Sequence, residues 1–234
     1  MNNEDFLKVI KKSFNKYLET GSRSNSKLKI LHGAITSDLN KRLENCYQLH
    51  SLGYNDDKEL NMKGRYMDKK VDIAVSNNKE VIAGIALKFI MRNYSQNSNN
   101  YFENMLSETA NIRSVGKPYF QIVIIPSKIP YFKNDGVLDH VEVLSENNLK
   151  KYIKLSHDNV LEFMHTPTKT LIYLIDMPEI PFEKIKNYDD YKKYYQENEI
   201  EILESNTKYD FGSSVIYNDY NKFIEKIVHY IKYM

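Results

Sequence analysis

Residues 119–125, Tyr-Phe-Gln-Ile-Val-Ile-Ile, are a nearly continuous apolar run ended by Pro126, and they constrain the chain more than any other segment. A run this short and this apolar suits a central strand covered on both faces, which demands neighbouring strands and helices above and below. The residues before it supply them. Lys70 to Val75 alternates Val71, Ile73 and Val75 against Asp72, Asn77-Asn78 supplies a turn, and Glu80 to Met91 reads as a longer strand closing a hairpin. Ser98 or Asn99 can cap a helix whose stripe is Phe102, Met105, Leu106, Thr109 and Ile112, with Gly116 and Pro118 beyond its end. Helix, hairpin, helix and strand in this order predict an α/β fold with a central mixed sheet flanked by helices.

Outside that core, Phe6 to Leu18 has helical spacing, and Ser22 to Lys29 reads as a basic loop. A second helix is expected from Ser37 to Gly53, with Leu39, Leu43, Cys46, Tyr47 and His50 inward and Glu44 on its flank. Asn55 to Lys63 reads as a charged loop, Leu171 to Ile175 as a buried strand, and Pro181 to Tyr195 and Tyr217 to Tyr230 as helices. A length of 234 residues predicts a single domain over 1–234, its catalytic core at about 36–126, with 127–234 completing the sheet and contributing recognition and dimerisation.

Composition removes several classes. A net charge of +2 makes any nucleic-acid surface a local patch. Cys46 stands alone, which excludes an internal disulfide and a multi-thiolate zinc site. The six histidines show no paired metal spacing, and packing or surface roles are expected for them. No run reaches the roughly 20 apolar residues of a membrane span. With acids at Glu4 and Asp5 and no apolar signal core, a cytoplasmic protein without membrane partners is expected.

The candidate chemistry lies in the hairpin. Asp72 sits between apolar neighbours, and Lys88 interrupts the run Ile85, Leu87, Phe89, Ile90. A lysine there must reach solvent or find a partner, because burying a lone ammonium is costly. A carboxylate and a lysine on one sheet face can hold a divalent cation beside an attacking water, the equipment that phosphodiester hydrolysis needs.

Asp72, a gap of 13 residues, then Ala86-Leu87-Lys88 resembles the PD-(D/E)xK nuclease motif with its second acid missing. Gly64-Arg65-Tyr66, the segment from Asn93 to Glu103, and Glu108 to Arg113 also resemble restriction endonucleases, so the likeness covers about Thr36 to Pro126. It implies a restriction-endonuclease-like sheet and a type II enzyme cutting duplex DNA at a short specific site with Mg²⁺. A homodimer, a bacterial host and a cognate methyltransferase in the same system come with that reading. By the same likeness Asp72 is a metal ligand, the Leu87 carbonyl a further ligand, Lys88 the residue that positions the water, and Glu44 an auxiliary acid. Position 86 is where the second acid belongs. Ala86 offers no oxygen, so the expectation is either an inactivating substitution, the favoured account, or another acid, with Glu103 first in line and Glu80 too distant along its strand. The amides of Asn93, Gln96, Asn97 and Asn100 are candidates for base contacts, and Arg65 and Arg23 for phosphates. The rival readings are a DNA-binding module of this fold without cleavage and a repair or recombination nuclease.

Overall fold

The computed structural model describes residues 1–21 and 24–233. Its helices are α1 (Asn3–Thr20), α2 (Ser26–Arg42), α3 (Tyr94–Arg113), α4 (Glu146–Ser156), α5 (Tyr188–Glu197) and α6 (Tyr220–Lys232). The strands are β1 (Tyr47–Ser51), β2 (Leu60–Met62), β3 (Lys69–Val71), β4 (Ile73–Asn77), β5 (Glu80–Phe89), β6 (Tyr119–Pro126), β7 (Lys128–Phe132), β8 (Leu138–Val143), β9 (Lys169–Asp176), β10 (Leu203–Glu204) and β11 (Val215–Tyr217).

The main sheet runs β1-β4-β5-β6-β9-β10, with β11 beside β9. β1, β4 and β5 are antiparallel neighbours, whereas β5, β6 and β9 run parallel, so the sheet is mixed. Every residue of β6 is buried, as its unbroken apolarity requires of a strand with neighbours on both edges and helices on both faces. Alternation divides the sheet's side chains. Ile73, Val75, Ile85, Leu87, Phe120 and Ile122 join the core with α1, α2 and α6, while Ile90, Val123 and Ile125 pack with Tyr94 and Met105 of α3 and with α4. The α/β sandwich expected from the sequence is present. No helix among the described residues is long and apolar enough to cross a membrane.

Four stretches differ from expectation. The helix expected from Ser37 to Gly53 is instead α2, which starts at Ser26 and ends at Arg42, followed by strand β1. Leu39 and Leu43 turn inward as expected, but Cys46 is exposed, and residues 47–51 form a strand on β4 that buries Leu49 rather than His50, with Tyr47 opposite Asn77 and Ser51 opposite Ile73. The helix expected to be capped at Ser98 or Asn99 starts earlier: α3 begins at Tyr94, with Asn93 in the left-handed region at φ 49° as its N-cap. The helix expected from Pro181 begins at Tyr188, because the Asn187 side chain accepts from the N–H groups of Asp189 and Asp190 and so opens it. β2 lies inside the stretch expected as a charged loop, pairing with β3 through Leu60 opposite Val71.

One contact fixes α2 against the sheet end. A Cβ on Gly33 would lie 2.2 Å from the Gly53 carbonyl oxygen, and one on Gly53, which holds φ at +75°, would lie 2.1 Å from the Lys29 carbonyl oxygen. The helix backbone therefore rests directly on the turn after β1, an approach closed to any residue with a side chain. Thr36 strengthens the same junction by donating to the Ser51 hydroxyl at 2.8 Å.

Candidate active site at the end of the sheet

β4 and β5 pair from Ile73 opposite Ile85 to Asn77 opposite Glu80. Asp72 is the bend between β3 and β4, one residue beyond that ladder, rather than a mid-strand residue. Its carboxylate turns toward β5 and accepts the Leu87 N–H at 2.7 Å. Ala86 and Lys88 share a face of β5 and, with Asp72, line a cavity of about 230 Å³ whose other walls come from α3 and β6. The hairpin thus brings Asp72, Ala86 and Lys88 together.

The acid on α3 that joins them is Glu108, not Glu103. Glu108 lines the cavity, pairs with Lys69 at 2.5 Å and lies within 3.5 Å of the Tyr119 hydroxyl. Glu103 is exposed outside the cavity, because five residues along a helix is almost one and a half turns. Glu80 is at the far end of β5, paired with Lys117 at 2.8 Å. Glu108 was legible in principle: Tyr101, Met105 and Glu108 follow i, i+4, i+7 spacing, which makes it the one acid on the edge of the buried stripe.

Electrostatics tie these groups together. Burial pushes the Asp72 carboxyl up to about 6, opposed by the Leu87 N–H and reinforced by the charge of Glu108. Burial also lowers the Lys88 ammonium, while Asp72 and Glu108 hold it up. The Lys88 Nζ sits 4.2 Å from the centre of the Tyr101 ring, a cation–π contact that keeps it at the cavity mouth. On β6, Gln121 pairs with Ala86 and lines the same cavity; its Nε2 is buried without a hydrogen-bond partner. Buried amide donors are rarely left so, and this one has only the cavity to serve.

A second set of donors meets Asp72 from the α2 side. Extending the β2–β3 register by one residue sets Glu59 opposite Asp72. Donor atoms of His32, Glu59 and Asp72 all lie within 4.8 Å of one another. His32 is fully buried on α2, and burial drives its imidazole down to about 4, so it is neutral at pH 7. Its burial fits the packing role expected of the histidines, yet neither ring nitrogen has a hydrogen-bond partner.

The remaining candidates divide. Glu44 is exposed after α2, 3.4 Å from Lys232 at the other end of β1, so it is no part of the site; the helix that should have carried it has already ended. Asn93 is structural, since its side chain donates to the Phe132 carbonyl at 2.7 Å and accepts the Phe132 N–H at 3.0 Å. Asn97 donates to the Asn93 carbonyl. Gln96 and Asn97 nevertheless line a groove of about 620 Å³ that shares Leu87, Lys88 and Tyr101 with the cavity and adds Arg92 and Lys133. Asn100 is exposed on α3 outside both. Arg65 is exposed, with its guanidinium 5.6 Å from the Tyr66 ring centre. Arg23 lies outside the described residues.

The donor set suits a divalent cation. Asp72 and Glu108 offer hard carboxylate oxygens on one side, and Asp72, Glu59 and the orphaned imidazole of His32 meet on the other. Ala86 contributes no side-chain donor. Against protein-family profiles, curated proteins and solved structures, the chain finds no match.

Proposed function

We propose that the protein is a metal-dependent nuclease of the PD-(D/E)xK type, hydrolysing phosphodiester bonds of duplex DNA, with Glu108 in the role expected of the residue at position 86. The observation that carries this reading is the convergence of Asp72, Lys88, Glu108 and the unpartnered Gln121 amide on one polar cavity at the mouth of a groove. An alanine at 86 then needs no inactivating event, because the second carboxylate comes from the helix that covers the sheet.

In this reading Asp72 and Glu108 hold Mg²⁺, which supplies phosphate polarisation and a more acidic water. Lys88 presents its ammonium at the cavity mouth, where it orients the attacking water and offsets charge developing on the phosphate. Gln121 donates its free N–H to a non-bridging phosphate oxygen. Tyr101 restricts the Lys88 side chain to this position. The strand approaches along the groove, with Arg92 and Lys133 facing phosphates and Gln96 facing bases. The finer reading is a type II restriction endonuclease acting as a homodimer on a palindromic site beside a cognate methyltransferase, since two identical subunits meet a two-fold site most simply.

The test is digestion of mixed-sequence duplex DNA with Mg²⁺. The unaltered protein should cut, Glu108→Gln should lose cutting by several powers of ten, and adding Ala86→Glu to Glu108→Gln should restore part of it. An inactive parent that Ala86→Glu activates would return the second-acid role to position 86. No cutting by either, with DNA binding intact, would favour the non-cleaving module.

A further inference from the structure

We infer that His32, Glu59 and Asp72 form a site for a divalent transition-metal ion that favours Mn²⁺ over Mg²⁺. Asp72 belongs to the nuclease reading and the inference deepens it, but His32 and Glu59 come from elements outside the hairpin that carries that reading.

Three independent constraints bring these donors together. The β2–β3 ladder ends at Leu60 opposite Val71, which leaves Glu59 and Asp72 as facing neighbours just past the last pair. The contact of Gly33 with Gly53 presses α2 onto the same end of the sheet and carries His32, the preceding residue, with it. β1 then pairs Ser51 with Ile73, locking that turn to the start of β4. The resulting donor atoms lie within 4.8 Å of one another. Ligands about 2.1 Å from one ion stand roughly 3 to 4 Å apart, so a contraction of about an ångström closes the site.

His32 is what marks this as a binding site rather than a chance cluster of acids. Its side chain is 0% exposed, and both Nδ1 and Nε2 lack a hydrogen-bond partner. A packing residue in this position would gain by being leucine or phenylalanine, because a buried polar atom left unpaired destabilises the fold. Glu59 and Asp72 bring two carboxylates beside that imidazole, and a cation among the three would answer both like charges at once. A neutral imidazole among carboxylates also sets the preference. Mg²⁺ is hard, takes oxygen and keeps its waters, whereas first-row transition ions accept a nitrogen ligand readily. One nitrogen and two carboxylates therefore discriminate against Mg²⁺ without excluding it.

The experiment uses metal-free full-length protein, with Mn²⁺ and Mg²⁺ as probes. Calorimetric titration should give a site with at least about tenfold tighter binding of Mn²⁺ than of Mg²⁺. Electron spin-echo spectroscopy of the Mn²⁺ form should show coupling to one imidazole nitrogen. His32→Gln and Glu59→Gln, each checked for folding by thermal melting, should weaken Mn²⁺ by tenfold or more, and His32→Gln should erase the nitrogen coupling. Bound Mn²⁺ without nitrogen coupling in the parent protein overturns the inference, and that readout does not depend on any variant folding. Equal affinity for the two ions, or coupling that survives His32→Gln, overturns it as well. Cleavage separates this result from the nuclease reading: nitrogen-ligated Mn²⁺ in a protein that cuts no DNA removes the reading and keeps the site. Cutting with Mg²⁺ and no nitrogen ligand does the reverse.

Discussion

Asp38, buried, and Asp72, half-buried, are both acids on the periphery of the sheet, yet their surroundings are opposite. Asp38, on α2, receives the Met1 ammonium at 2.6 Å, the Tyr220 hydroxyl at 3.1 Å and the Arg42 guanidinium at 3.3 Å. It knits α1, α2 and α6 into one layer, and both of its oxygens are spoken for. Asp72 accepts one backbone N–H and feels the charges of Lys69 and Lys88 without a direct ion pair among the described residues, and beside it stand the orphaned His32 and Gln121 and the like-charged Glu59 and Glu108. The contrast separates two uses of buried polarity. Where charge is balanced within the chain the product is rigidity, and where the balance is missing the chain is shaped around something it does not itself contain.

The comparison breaks most visibly through Lys88. If the proposed nuclease reading holds, Lys88→Ala should reduce DNA cleavage by about a thousandfold or more, since the cation beside the water would act in the transition state, and should barely move the melting temperature. Single-turnover digestion and a thermal melt check both halves; a large drop in melting temperature would put Lys88 among the structural residues. Asp38→Ala should do the opposite, costing about 3 kcal/mol in denaturant unfolding because its partners lose a buried counter-charge, while cleavage per folded molecule stays unchanged. A loss of activity in that variant would erase the distinction between the two acids.

Gln121 sharpens the comparison further. Gln121→Met keeps the volume and removes the unpaired donor, so the protein should become more stable by about 1 kcal/mol and cut more slowly by about tenfold. Equilibrium unfolding that shows destabilisation instead would mean that the amide already has a partner within the fold.

The smallest effect is a pH slope. With its folded value raised to about 6 from an ordinary 3.8, Asp72 keeps its proton in the metal-free native state while the unfolded chain has released it. Stability therefore falls as pH rises between those values and stays lowered above them. His32, held down near 4 from 6.5, acts the other way: the unfolded imidazole binds a proton that the native one refuses, so its contribution is lost as pH falls from 6.5 toward 4. Difference measurements resolve the two. Relative to the unaltered protein, Asp72→Asn should gain stability with rising pH over 4 to 6 and His32→Gln should gain it with falling pH; parallel curves would mean that neither group is perturbed.

β4, β5, β6 and β9 were readable from the residues because burial and alternation coincide there: β6 is apolar throughout, and β5 shows Leu87 and Phe89 inward with Lys88 between them. Hence Asp72 and Lys88 stand out as candidates in the sequence. β1 could not. Leu39, Leu43, Tyr47 and His50 satisfy a helical period, and only the ladder with β4 decides that residues 47–51 extend instead. Starting that helix at Ser37 left His32 outside any element, so nothing suggested that it was buried. Glu59 was hidden for a related reason, since a three-residue strand such as β2 is defined by its partner rather than by its own composition. Glu108 needed only the helix face to be drawn wider than its apolar stripe. The places of His32 and Glu59, unlike that of Glu108, depend on segments distant in the chain.

The approach of Gly33 to Gly53 carries a consequence for how this protein tolerates change. Neither residue has a functional group, yet together they act as a mechanical stop that sets how deep α2 seats. A methyl at either position would demand roughly an ångström of clearance between two backbones, and the first atoms displaced would be those of the neighbouring imidazole. In a library carrying every substitution at every position, selected for metal binding, these two sites should accept glycine alone. Surface residues much nearer the groove should vary freely, so distance from the chemistry would be a poor guide to which positions matter.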